Sequence, residues 1–327
     1  MSALIFPGQG SQVVGMGSEL YNNFKRVKEI FGQADEKLNF SISKLILEGP
    51  SDILQLTKNT QPAILTVSYS IFEVLRKEFN FNLSSFRYFA GHSLGEYSAL
   101  VCSESLQFND AIYLLHQRGS AMQDAVPVGQ GSMVAVIGAE IELIKEIIKS
   151  NVKKSDICEI ANDNADGQVI VSGKKQSVEL LSKVLKEKKI KSIPLKVSAP
   201  FHCSLMKPAA DYMLDKINKI EFKKPKYEII SNVTAEPITK PEIIKSLLIK
   251  QIFSSVKWRE SILRMSKEKV RNFIEIGPGK VLTGMVKRTI KDVNCFSINS
   301  IADIKNVKRK SKKFYRNRTR KSFNWHG

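Results

Sequence analysis

One pentapeptide constrains this chain more than any other feature. Gly91-His92-Ser93-Leu94-Gly95 lies between a short apolar run at residues 87–90 and a stretch of good helix-forming composition at residues 96–102. Glycines two residues before and after a serine let a strand and a helix approach closely around a sharp turn. The turn lifts the serine hydroxyl into the open. The helix N-terminus that follows directs peptide N–H groups and positive dipole toward any oxyanion formed there. An ordinary turn can carry the same five letters; the strand before it and the helix after it favour a nucleophile elbow on an α/β fold.

The rest of the chain agrees with that class. Residues 3–6 form an apolar run stopped by Pro7-Gly8-Gln9-Gly10, which reads as a buried strand entering a glycine-rich turn. From about residue 131 to 197 the rhythm changes. Strand-like segments at 132–137, 158–161, 168–172 and 190–197 alternate with helical stripes at 140–151 and around Val178, Leu181, Val184 and Leu185. The order β-α-β-β-α-β predicts a ferredoxin-like unit inserted in a larger domain. Beyond it, residues 227–231 and 272–276 read as strands, and Gly277-Pro278-Gly279 is a turn before a helix over 281–290. The expected organisation is a discontinuous core at 1–127 and 199–304, a small subdomain at 128–198 and a basic tail at 305–327.

With 327 residues and 43% hydrophobic content, the chain can bury a core of one large or two modest domains, which excludes disorder and disulfide-stapled miniproteins. Its four cysteines, Cys102, Cys158, Cys203 and Cys295, form no CxxC pair and no metal-ligand spacing with histidine, so no metal site is expected. No segment has the apolar length of a membrane span and no export signal is evident, so a reducing cytoplasm is the expected compartment. The formal charge is +19, and about half of the excess sits in residues 305–327, where lysines and arginines interleave with Phe314, Tyr315, Phe323 and Trp325. Such a tail could touch nucleic acid or an anionic surface. A like-charged terminal block is more often a solvated, disordered extension, which is the reading adopted.

A serine hydroxyl is a weak nucleophile until a base takes its proton. Of the four histidines, His92 adjoins Ser93 on a turn where side chains diverge, His116 sits in a helical stretch and His326 lies in the tail. His202 remains, in a loop opened by Ala199-Pro200-Phe201. Gly8-Gln9-Gly10 could add an oxyanion donor, though a plain turn explains it equally. Gln117-Arg118-Gly119 closes an apolar helical stretch; Arg118 is either a solvated end-of-helix charge or, aimed into a cleft, a carboxylate receptor. Cys203 lacks an elbow and reads as a packing residue.

Taken together, FPGQGSQ (6–12), GHSLGEY (91–97), QRG (117–119), ANDN (161–164), APFHCSLM (199–206), SNVTA (231–235) and EIGPGKVLTGMVKR (275–288) resemble, in order and spacing, the malonyl-CoA:acyl carrier protein transacylases of bacterial fatty-acid synthesis. The resemblance spans roughly residues 3–298. It implies an α/β-hydrolase-like core with a ferredoxin-like insert, and a ping-pong transfer of malonyl from malonyl-CoA to the phosphopantetheine thiol of holo acyl carrier protein. It implies Ser93 as nucleophile, His202 as base, and Gln251 as the residue whose backbone carbonyl orients His202. Backbone N–H groups of Gln9 and Leu94 would form the oxyanion hole, Arg118 would bind the malonyl carboxylate, and Gln117, Phe201 and Asn162 would line the substrate site. Phe201 leaves little room for a methyl branch. No permanently bound cofactor is implied. Asp163 within ANDN and the basic tail depart from the family pattern. Two other classes compete: a serine hydrolase, which would want a carboxylate third member and would not need Arg118, and a non-catalytic module working through its tail.

Overall fold

The computed structural model describes residues 1–153, 155–197 and 199–310. Its strands, in chain order, are β1 (Ser2–Phe6), β2 (Phe86–Gly91), β3 (Gly131–Ile137), β4 (Cys158–Ala165), β5 (Gln168–Lys174), β6 (Lys191–Pro194), β7 (Glu228–Ile230), β8 (Pro237–Ile238), β9 (Asn272–Ile276) and β10 (Asn294–Ile298). They form two sheets. The larger has the order β10-β9-β1-β2-β7-β8 and is parallel except for β8, which pairs antiparallel with β7.

Parallel strands covered on both faces read as continuous apolar runs, and β1, Ser-Ala-Leu-Ile-Phe, is buried at every position. Because side chains alternate, Leu4 and Phe6 join a core on one face with Phe89 and Ile276, while Ala3 and Ile5 join Tyr88, Ile230, Trp258 and Phe273 on the other. The register sets Phe6 opposite Gly91, so the loops leaving β1 and β2 begin side by side. That edge, the carboxyl ends of parallel strands, is where an open α/β sheet offers a crevice.

The smaller sheet has the order β4-β5-β3-β6, antiparallel throughout, which is the ferredoxin-like arrangement expected from the sequence. Helices Ile141–Asn151 and Lys175–Glu187 lay Ile144, Ile147, Val178, Leu181 and Leu185 on its Val134, Val136, Val169 and Val171. The small sheet joins the core through β4. Asp163 N–H donates to the Val256 carbonyl at 3.0 Å, Val256 N–H donates to the Ala161 carbonyl at 2.9 Å, and Arg259 Nε reaches both Asp163 oxygens at 2.9 and 3.0 Å.

Two expectations are corrected. Residues 301–310 are helical with Ile304 and Val307 buried in the main core, so disorder does not begin at residue 305. Two apolar side chains three apart anchor this stretch despite its Lys305, Lys308, Arg309 and Lys310; the remainder of the tail lies outside the described residues. Gln117-Arg118-Gly119 also does not close its helix, which runs over Phe108–Asp124. Gly119 packs so closely that a Cβ there would lie 2.6 Å from the Lys58 Cα, and Met122 continues the buried stripe past it.

Candidate active site

At the elbow, Ser93 has φ +54°, a left-handed conformation rare for a side-chain-bearing residue. Its flanking glycines are sterically required. A Cβ on Gly91 would lie 1.9 Å from Gly95 backbone, and one on Gly95 would lie 2.3 Å from the Phe6 carbonyl oxygen. Helix Gly95–Cys102 starts immediately after the turn and is buried on every side. Asn232, just beyond β7, clamps the turn: its Oδ1 accepts the Ser93 N–H at 2.7 Å and its Nδ2 donates to the Gly91 carbonyl at 2.7 Å.

The Ser93 hydroxyl lies 2.8 Å from His202 Nε2. His202 Nδ1–H donates to the Gln251 backbone carbonyl at 2.9 Å, which fixes the proton on Nδ1 and leaves the Nε2 lone pair facing the serine. Burial and the nearby Arg118 charge push His202 down to about 3, so the ring is neutral and can accept a proton at ordinary pH. His92 is engaged elsewhere, its Nε2–H donating to Asn164 Oδ1 at 2.8 Å, and desolvation lowers its pKa as well.

Arg118 is 1% exposed. Its Nη1 donates to Gln61 Oε1 at 2.8 Å, and its Nη2 donates to Gln251 Oε1 at 2.9 Å and to the Ser93 hydroxyl oxygen at 3.2 Å. Its Nε has no hydrogen-bond partner among the described residues. A buried guanidinium thus stands within hydrogen-bond distance of the Ser93 hydroxyl, with two of its five N–H groups not engaged in these bonds.

Ser93, His202, Arg118, Gln9, Leu94, Asn162 and Phe201 all line one cleft of about 230 Å³. The N–H groups of Gln9 and Leu94 donate to no other group among the described residues. Pro7–Gly10 follows β1, the elbow follows β2, and Val281, Leu282 and Met285 close the cleft from the helix after β9. The small sheet adds a wall through Met133, Asn162, Asn164 and Ile170. Asp163 points away, since strand alternation aims Asn162 and Asn164 at the cleft and its neighbour at Arg259. The departure from the family pattern at this position therefore leaves the cleft untouched.

Gln117 does not join the site. It stands about 100° around the helix from Arg118, and its Oε1 accepts a hydrogen bond from the Tyr212 hydroxyl at 2.7 Å. Cys203 is buried, donates to the Pro200 carbonyl at 3.1 Å, and burial pushes its thiol up to about 11, as suits packing rather than attack. His116 packs on the Phe40 ring away from the cleft. Sequence reasoning missed Gln61 and Asn164, which line the cleft, and Asn232 and Glu96, which lie behind it. Asn164 and Asn232 stood in recognisable motifs; Gln61 carried no signal of its own.

An elbow serine, a neutral imidazole and a buried arginine on a parallel α/β sheet form an arrangement suited to acyl chemistry through a serine. The acyl transferase domain family matches residues 3–323, and the chain belongs to that family. It is 43% identical over 298 residues to the malonyl CoA-acyl carrier protein transacylase of Bacillus subtilis strain 168, covering 91% of this chain and 93% of that one. The acyl-carrier-protein S-malonyltransferase of Bartonella henselae superposes with a TM-score of 0.91 at 40% identity, over 94% of this chain and 98% of the other. A malonyl-transacylase solved in complex with a type II PKS acyl-carrier protein matches with a TM-score of 0.89 at 38% identity, over 93% and 97% of the two chains.

Proposed function

We propose that this chain is a malonyl-CoA:acyl carrier protein transacylase supplying fatty-acid synthesis, with Ser93 as nucleophile, His202 as base and Arg118 as receptor for the malonyl carboxylate. The observation that carries this reading is a single atom. Ser93 Oγ lies within 2.8 Å of His202 Nε2 and 3.2 Å of Arg118 Nη2, so nucleophile, base and anion receptor converge on it.

In the first half-reaction Ser93 Oγ attacks the malonyl thioester carbonyl while its proton passes to His202 Nε2. The oxyanion of the tetrahedral intermediate is received by the N–H groups of Gln9 and Leu94. The C–S bond then breaks, and His202 returns its proton to the departing CoA sulfur, leaving malonyl-Ser93. In the second half the phosphopantetheine thiol of the carrier protein gives its proton to His202 and attacks the ester; the C–O bond breaks and Ser93 recovers the proton. The Gln251 carbonyl replaces the acid of a Ser-His-Asp triad by holding the Nδ1–H. Every bond and proton in this sequence belongs to Ser93, His202 and the two substrates. A reducing cytoplasm suits the four free cysteines.

Arg118 supplies acyl selection. A malonyl carboxylate pairs with this guanidinium where it lines the cleft, whereas acetyl leaves the buried charge without an anionic partner, a difference of roughly 1–3 kcal/mol. Asn162 and Phe201 shape the acyl pocket. The relative solved with a carrier protein supports that partner for this chain, and the basic charge of the body suits an acidic one.

The transferase and hydrolase readings separate in one assay. Steady-state CoA release from malonyl-CoA should depend on holo acyl carrier protein and fall at least about tenfold without it. A rate that ignores the carrier would assign the chain to hydrolysis.

A further inference from the structure

Glu96 lies in the first turn of helix Gly95–Cys102, 1% exposed and outside the cleft lining. Among the described residues it forms no ion pair. Burying a carboxylate in this way is unfavourable unless its oxygens are engaged. Its Oε2 is engaged twice, by Asn232 N–H at 3.1 Å and by Gln251 Nε2 at 2.7 Å. Burial raises Glu96 to about 7 against the opposing pull of those two bonds and of the Arg118 charge. An apolar residue would fill the same volume without that penalty, so packing alone does not account for an acid here.

The Gln251 amide has one donating end and one accepting end. Glu96 Oε2 acts as acceptor in both of its bonds, and Arg118 can only donate. The amide is therefore held one way round, with Nε2 on Glu96 and Oε1 on Arg118 Nη2 at 2.9 Å. The same Nε2 also reaches the Ser93 carbonyl at 3.1 Å and Asn232 Oδ1 at 3.3 Å. Meanwhile the Gln251 backbone carbonyl holds His202. One residue thus touches the base through its main chain and the anion receptor through its side chain.

We infer that Glu96 is a positioning residue for acyl selection: by fixing the Gln251 amide it aims the Arg118 guanidinium at the carboxylate of the acyl group attached to Ser93. This rests on the assignment of Arg118 as carboxylate receptor. Losing Glu96 removes the shortest of the three acceptors on Nε2 and leaves only the longer contacts to the Ser93 carbonyl and Asn232 Oδ1, so the amide is held less firmly against Arg118 Nη2 and the guanidinium can shift. The main-chain hold on His202 is unaffected, so the defect falls on recognition of a charged acyl group more than on the chemistry common to all acyl groups. Asn232 N–H also loses its acceptor, but its side-chain clamp on the elbow remains.

The test compares kcat/KM for malonyl-CoA and acetyl-CoA, with acyl carrier protein as acceptor, in the full chain and its variants. Glu96→Ala should lower the malonyl-to-acetyl ratio at least about tenfold, mostly through KM for malonyl-CoA, while acetyl transfer changes less than about threefold. Glu96→Gln should restore the ratio to within about threefold of the parent, because one oxygen takes both bonds and an amide oxygen can replace it. Gln251→Leu, which keeps the backbone carbonyl, should reproduce the tenfold fall, and in combination with Glu96→Ala the losses should not add. If Glu96→Ala does not fold, as judged by circular dichroism, Gln251→Leu carries the test alone. Equal loss for both acyl groups, an unchanged ratio, or a Glu96→Gln variant as impaired as Glu96→Ala would overturn the inference. Arg118→Ala separates the two readings. If it lowers the ratio while the Glu96 and Gln251 variants do not, the positioning role alone fails; if it leaves the ratio unchanged, the carboxylate-receptor assignment fails and takes the positioning role with it.

Discussion

Ser93 and His202 both hold positive φ, +54° and +58°, each a strain of roughly 1–3 kcal/mol that the surrounding contacts must offset. The proposed roles of the pair require a neutral imidazole, and this has a measurable consequence. The folded ring is pushed down to about 3 from an ordinary 6.5. Between those values the unfolded chain carries a proton at residue 202 that the folded chain does not, so folding stability falls as pH drops from 6.5 toward 3. His202→Gln removes that linkage. Its melting temperature should fall less than the parent's between about pH 7 and about pH 5, though His92, shifted in the same direction, preserves part of the trend. A fall as steep as the parent's would mean that residue 202 titrates normally. At this scale the sequence made Ser93 and His202 legible because an elbow has a spacing and because histidines are few. Gln117 misled because neighbours on a helix face different ways, a fact that adjacency in a motif conceals. Glu96 was hidden because an acid in a helix's first turn ordinarily reads as a solvated, dipole-favoured charge.

The element that sets the chemistry is the strand-turn-helix of β2, the elbow and helix Gly95–Cys102. Its close approach to the end of β1 leaves no space for a methyl group at Gly95, and the return of the helix start onto the strand leaves none at Gly91. Gly95→Ala must push the helix off the Phe6 and Pro7 carbonyls. It should cost about 2–4 kcal/mol of stability and lower CoA release at least about 100-fold even at a temperature where the variant is folded. Near-parental turnover would mean that the turn tolerates a Cβ and that its strain is incidental. The elements themselves were largely readable: β9 falls on its expected residues, and β2 and the elbow helix fall within a residue or so, because apolar runs and glycine punctuation encode them locally. The length of helix Phe108–Asp124 was not, since Gly119 reads as a terminator unless its packing on Lys58 is known.

For the whole molecule, the cleft exists because two sheets are held at a fixed relation. Residues from the ends of β1, β2 and β9 form its floor and one side, and β3, β4 and β5 contribute the other. The Asp163–Arg259 pair and the backbone bonds at Val256 fasten that wall to the core, and Gly131 packs directly on Pro200 in the loop that carries His202. The ferredoxin-like order could be anticipated from alternating periodicities. The strand order of the large sheet could not, because parallel neighbours are joined by long crossovers and β1 pairs with β9, some 270 residues away. The resemblance named Arg118, Ser93 and His202 together, but their distances became visible only with the fold, because they come from a helix, the elbow after β2 and a loop far apart in the chain. The most direct test of their joint action is to mix the protein with malonyl-CoA alone, quench within seconds and locate any adduct by peptide mass spectrometry. The account predicts a burst of about one CoA per chain and a malonyl ester on the Ser93 peptide, both absent from Ser93→Ala. A burst that persists in Ser93→Ala, or a malonyl group found on another residue, would contradict it.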